Sequence, residues 1–141
     1  GLLIPLCVDD NTTQREAAIM ASILKKMSIP VLYSAAAIIK LTGYPFYGPR
    51  AIIMRTLIDK KYSLPQTAIA SLVDYMDKSS HVDENNTVIW QQLLLSFCDK
   101  YGCEFSAADK DRLLSAAIRL PHDPITSEIV FSIEKTNSIL S

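Results

Sequence analysis

Signals that start and stop helices recur roughly every 16 to 22 residues along this chain, and no stretch alternates apolar and polar residues for long enough to read as a strand. Thr12 or Thr13 can cap a first helix, with Glu16 placed to close a capping box, after which Ile19, Ile23 and Met27 share one face. Ser28 can cap a second helix with Pro30 in its first turn, where a missing N–H costs nothing. That helix runs through Ile39 and stops at Gly43. A short aromatic loop, residues 44–49, leads to a third helix with Ile53, Leu57 and Ile58 inward and Arg50, Arg55 and Asp59 outward. Pro65 opens a fourth, whose Ile69, Leu72, Val73 and Met76 fit one helical face. Residues 78–86 form the longest polar loop and the best candidate for mobility. A fifth helix spans about Thr87 to Tyr101 and ends at Gly102; Ser106 with Asp109 caps a sixth, and Thr126 or Ser127 a seventh.

Two such helices take roughly 35 to 40 residues, the period of HEAT-like helical pairs. The expectation is an all-α fold of about seven helices in antiparallel pairs, either a HEAT-like or irregular α-solenoid or a bundle. The helix over Ser28–Lys40 is apolar nearly all round, which predicts that it is central, with Val31, Leu32, Ala35, Ile38 and Ile39 buried. At 141 residues the chain suits a single domain, 1–141. It opens on Gly1-Leu-Leu-Ile-Pro-Leu-Cys7, without an initiating Met or the basic start of a signal peptide. It is therefore expected to be a fragment of a longer chain, lacking an N-terminal region.

Little in the chain points to catalysis. His81 and His122 both fall in expected loops, with no nucleophile or orienting acid in a motif around them. The four glycines form no phosphate-binding loop, and the carboxylate pairs Asp83-Glu84 and Asp109-Lys-Asp111 read as solvated. Cys7, Cys98 and Cys103 are odd in number and irregularly spaced, which fits reduced thiols rather than a disulfide framework or a zinc site. Neither an enzymatic role, a cofactor, a bound metal nor a small-molecule substrate is expected. No apolar run reaches the roughly 18 residues of a membrane span, so no membrane partner is expected either. Asn11-Thr-Thr13 and Asn85-Asn-Thr87 match the N-glycosylation pattern and are read as chance.

The net charge of −1 hides an asymmetry. Residues 1–62 carry eight Lys and Arg against four acids, whereas residues 63–141 carry six against eleven. A polarised domain can turn its basic end toward a polyanion. The candidate RNA- or partner-binding residues are Lys25, Lys26, Arg50, Arg55, Lys60 and Lys61. For the lysines, a competing reading is that they only complement helix C-termini. Tyr44, Phe46 and Tyr47 could stack on bases or could pin their turn to the core.

Several blocks carry a resemblance to a known family. They are Gly1-Leu-Leu-Ile-Pro-Leu-Cys7, Arg15-Glu-Ala17, Lys26-Met-Ser-Ile-Pro-Val-Leu-Tyr-Ser-Ala-Ala36, Arg55, Leu57-Ile-Asp-Lys-Lys-Tyr-Ser-Leu-Pro65 and Val88-Ile-Trp-Gln91. Together they resemble the bystin family; after Gly102 the likeness fades to helical pattern alone. The resemblance implies a non-enzymatic assembly factor for the small ribosomal subunit, needed for rRNA processing and bound near the head and beak of the precursor. It implies small-subunit precursor rRNA, ribosomal proteins and other assembly factors as partners. The implied location is the nucleus, in the nucleolus, with shuttling to the cytoplasm. A generic helical protein-interaction scaffold is the alternative reading.

Overall fold

In the computed structural model, which describes residues 11–60, 63–122 and 124–140 (the last five by backbone alone), seven α-helices and one 3-10 turn follow one another. They are α1 Gln14–Lys26, α2 Val31–Leu41, α3 Gly48–Asp59, α4 Gln66–Lys78, α5 Glu84–Tyr101, α6 Ala107–Arg119 and α7 Ile125–Leu140. The 3-10 turn, Gly102–Glu104, continues from α5, so Gly102 tightens the helix end with a right-handed φ of −56°. No strand occurs among the described residues.

Local chemistry sets several of these boundaries. Thr13 caps α1 and Ser106 caps α6, each closing a full capping box, with Glu16 and Asp109 respectively. Pro30, not Ser28, is the N-cap of α2: its carbonyl accepts the first helical hydrogen bond, from the Ser34 N–H, and the helix begins one residue later. Asp83 caps α5 by accepting from the Asn86 N–H. The loop expected over 78–86 therefore shrinks to residues 79–83, and it is tied down. Ser79 Oγ accepts from Trp90 Nε1 at 2.9 Å, and the buried Ser80 accepts from Arg119.

The helices stack in two layers. α1, α3, α5 and α7 pack successively in one layer, and α2, α4 and α6 in the other. This is the arrangement of a HEAT-like stack of helical pairs, not of a bundle around one axis. The odd-numbered helices pack on one another more extensively than the even-numbered ones. The core lies between the layers, with Trp90, Phe97, Ile53, Leu57, Ile69 and Leu72 among its fully buried side chains. Gly48 opens α3 where a Cβ would stand 3.0 Å from Asn86 Oδ1 and 3.3 Å from Ile89 Cδ1, so its missing side chain lets α3 approach α5.

The stack also corrects the expected burial of α2. Ala35 and Ile38 are buried, but Leu32 is 83% exposed, and Val31 and Ile39 are exposed at 37% and 38%. Among the described helices α2 is the first of the even layer, and it packs chiefly on α3 and α4. Leu32 lies on the face turned away from those two described neighbours.

Within the even layer, α4 and α6 are joined by ion pairs. Arg112 donates to both Asp74 (3.1 Å) and Asp77 (3.0 Å), and Arg119 donates to Asp77 at 2.6 Å. The acids of this half are thus partly neutralised by its own arginines rather than left as an acidic face. The Lys78 ammonium, seconded by Arg112, holds the Asp74 carboxyl below its ordinary value of 3.8. Burial raises the pKa of Asp77, but the hydrogen bonds from Arg112 and Arg119 outweigh it and leave that carboxyl low as well. Carboxyls held low stabilise the fold fully above their unfolded pKa and lose that contribution as pH falls through the folded one. Asp77→Asn should therefore lower the melting temperature near pH 6, with the difference from the parent protein narrowing as pH falls below about 3.8. Thermal melts across that range check it; a gap independent of pH would mean that Asp77 stabilises by packing alone.

Candidate functional site

Two chemistries are absent from the described residues. No three His, Cys, Asp or Glu side chains converge as metal ligands. No helix is long and apolar enough to cross a membrane. Cys98 is buried in α5, and burial, aided by the Asp99 charge, pushes its thiol up to about 12. A thiol held protonated in this way is a poor nucleophile. Cys103 is exposed. The backbone N–H of His122 donates to Thr126 Oγ1 at 2.7 Å, and His81 is exposed on the 79–83 link.

The five candidate binding residues that lie among the described ones do not form one patch. Arg50, expected to point outward, is buried at 2% exposure. Its Nη1 donates to the Pro45 carbonyl at 2.7 Å, and its guanidinium lies 5.2 Å and 5.4 Å from the ring centres of Tyr44 and Tyr47. The Tyr47 hydroxyl donates to the Thr12 carbonyl, and Phe46 tilts against Tyr75 at 6.4 Å. The aromatic loop is therefore fixed around a buried cation, with its rings turned to that task. Lys60 donates to the carbonyl of Met27, the C-cap of α1, at 2.7 Å, as expected of a helix-end charge. Lys61 lies outside the described residues.

Lys25, Lys26 and Arg55 remain as exposed cations. Lys25 and Lys26 stand in the last turn of α1. Arg55 is partly held: its Nε donates to Ser96 Oγ at 3.0 Å on α5 and lies 3.7 Å from Asp59 Oδ2. Lys25 and Arg55 both line a groove of about 830 Å³ that crosses all four helices of the odd layer. Its far wall, on α7, carries Glu128, Phe131 and Lys135, and α5 contributes Leu95 and Lys100. Phe131 is 68% exposed.

Sequence reasoning missed the groove residues on α5 and α7. Lys100 and Lys135 fall in the half whose net charge is acidic, and averaging over that half hides them. The readable signal was the two-helix period: every second helix shares a layer, which puts α1, α3, α5 and α7 on one face.

Comparison with known proteins completes the description. A family model described as Bystin matches residues 1–139, reaching well past Gly102 into the last third of the chain. The chain is 37% identical over 129 residues to Bystin of Nematostella vectensis, covering 92% of this chain and 30% of the relative. It is 37% identical over the same length to Bystin of Homo sapiens, again covering 92% and 30%. An uncharacterized protein of Schizosaccharomyces pombe is 40% identical over 129 residues, covering 92% of this chain and 28% of the relative. The chain thus spans about 30% of the length of curated relatives that it matches.

Proposed function

Because this chain belongs to the bystin family, we propose that it is part of a non-enzymatic assembly factor for small-ribosomal-subunit biogenesis. In this reading it serves rRNA processing by holding precursor rRNA, ribosomal proteins or other assembly factors against a helical scaffold. It works in the nucleolus and passes to the cytoplasm. Family membership carries the proposal. The fold is compatible in kind: a two-layered helical stack presents an extended surface suited to holding partners.

On this reading the RNA-facing residues are Lys25 and Lys26, with Arg55 beside them, rather than the whole set of six cations. Each phosphate contact on single-stranded RNA adds about 0.7 to the slope of log affinity against log salt. Reversing Lys25 and Lys26 to Glu in the full-length protein should weaken its cosedimentation with small-subunit precursors and flatten the salt dependence, with the melting temperature unchanged. Wild-type affinity and slope in that variant would reduce the two lysines to helix-end charges. If the parent protein fails to cosediment with the precursor at all, the ribosomal role itself is wrong. The alternative, a general protein-interaction scaffold, is favoured by one observation: the groove interleaves acids with its bases.

A further inference from the structure

Six of the nine large apolar side chains that are exposed among the described residues belong to the first two helices and the link between them. On α1 and its C-cap, Ile19, Ile23 and Met27 follow one another at four-residue spacing, each at least 50% exposed. On α2, Leu32 and Ile39 share a face with the exposed Ala36, and Val31 borders it. These stripes lie away from the faces that bury Ala17 and Ala21 on α1 and Ala35 and Ile38 on α2. One helix of each layer therefore carries an outward apolar stripe. A ridge of side chains four residues apart fits the groove of another helix, at about 8–10 Å between axes. A helical stack that ends in water needs a polar outer face on its terminal repeat. The outer face of α1 and α2 is apolar instead, the composition of a junction inside a stack.

We infer that this face packs against a further helical pair of the same polypeptide, from outside these 141 residues, one helix stacking on α1 and the other on α2. The relatives have ample chain for it. The matched 129 residues make up 30% of Bystin of Nematostella vectensis, and a helical pair takes roughly 35 to 40 residues. A second copy of this chain fits the face less well. Head to tail, it would offer α6 and α7, which expose only Ile118 and Phe131 as large apolar side chains among the described residues. Head to head, it would set α1 and α2 against themselves. Those helices carry Arg15, Lys25, Lys26 and Lys40 against the single acid Glu16, so like charges would be brought together. With the pair in place the stack continues beyond α1 and α2, and Lys25 and Lys26 stand along its length instead of at its tip. This packing does not depend on the ribosomal reading.

The test is site-specific photocrosslinking in the purified full-length protein, with benzoylphenylalanine in place of Leu32 or, in a second variant, of Ile23. The expected result at nanomolar protein concentration is an intramolecular crosslink from each position. Mass spectrometry should map both to apolar residues outside these 141, in the two helices of one pair. Crosslinks confined to the 141 residues, a crosslinked product of twice the mass, or no crosslink from either position would overturn the inference. Thermal melts give a second readout. Leu32→Lys should lower the melting temperature of the full-length protein by about 4 °C or more at every protein concentration, whereas a substitution on a free surface scarcely moves it. An unchanged melting temperature would overturn the inference too, because the face would then be free or kept for a partner. So would a shift that depends on protein concentration, which would assign the face to a second copy.

Discussion

Trp90→Ala is expected to destabilise the protein by about 3–5 kcal/mol, the range for truncating a fully buried aromatic. The indole sits at 0% exposure in α5, the helix that packs on both α3 and α7, and its Nε1 donates to Ser79 Oγ at 2.9 Å. That hydroxyl itself donates to the Tyr75 carbonyl at 2.7 Å, so one side chain ties α5 to the C-terminal end of α4. Against a total stability of about 5–15 kcal/mol, the loss would leave a measurable unfolded population. Trp90→Phe separates the two contributions, since it keeps most of the packing and removes the donor. It should cost about 1–2 kcal/mol, part of it for the smaller ring. Urea denaturation measures both. A Trp90→Ala midpoint unchanged from the parent would mean that the indole lies outside the core.

Arg50→Ala should also act on stability, at about 2–4 kcal/mol, through the hydrogen bond and the ring contacts that it removes. The substitution leaves the Pro45 carbonyl without its cationic donor and leaves Tyr44 and Tyr47 without the guanidinium near their rings. Arg50→Lys keeps the charge but not the planar fork, so it should recover only part of the loss. A variant that melts normally yet associates poorly with precursor particles would return Arg50 to the binding surface. The two results are exclusive because they assign the same guanidinium either to the interior or to a partner.

The helices themselves were legible because their signals are local. Thr13 with Glu16 and Ser106 with Asp109 are complete capping boxes within four residues, and nothing distant competes with them. The buried face of α4 was equally plain, since Ile69, Leu72, Val73 and Met76 repeat at helical spacing and are all buried. Errors arose where neighbours decide. Leu32 is apolar in an apolar helix, yet it faces outward at the edge of the stack. Arg50 carries a charge, yet three groups of a nearby loop enclose it. The groove joins residues as far apart as Lys25 and Lys135, and no local pattern shows that two helices separated by such a length of chain share a face.

The two-layered stack makes the protein a short spring. Each helix bears chiefly on helices no more than two positions away, so small rotations at successive junctions add along the axis instead of cancelling. The width of the groove is the quantity in which those rotations accumulate, because residues of every helix of the odd-numbered layer line it. Whatever spans it acts as a brace, fixing the curvature of the whole stack.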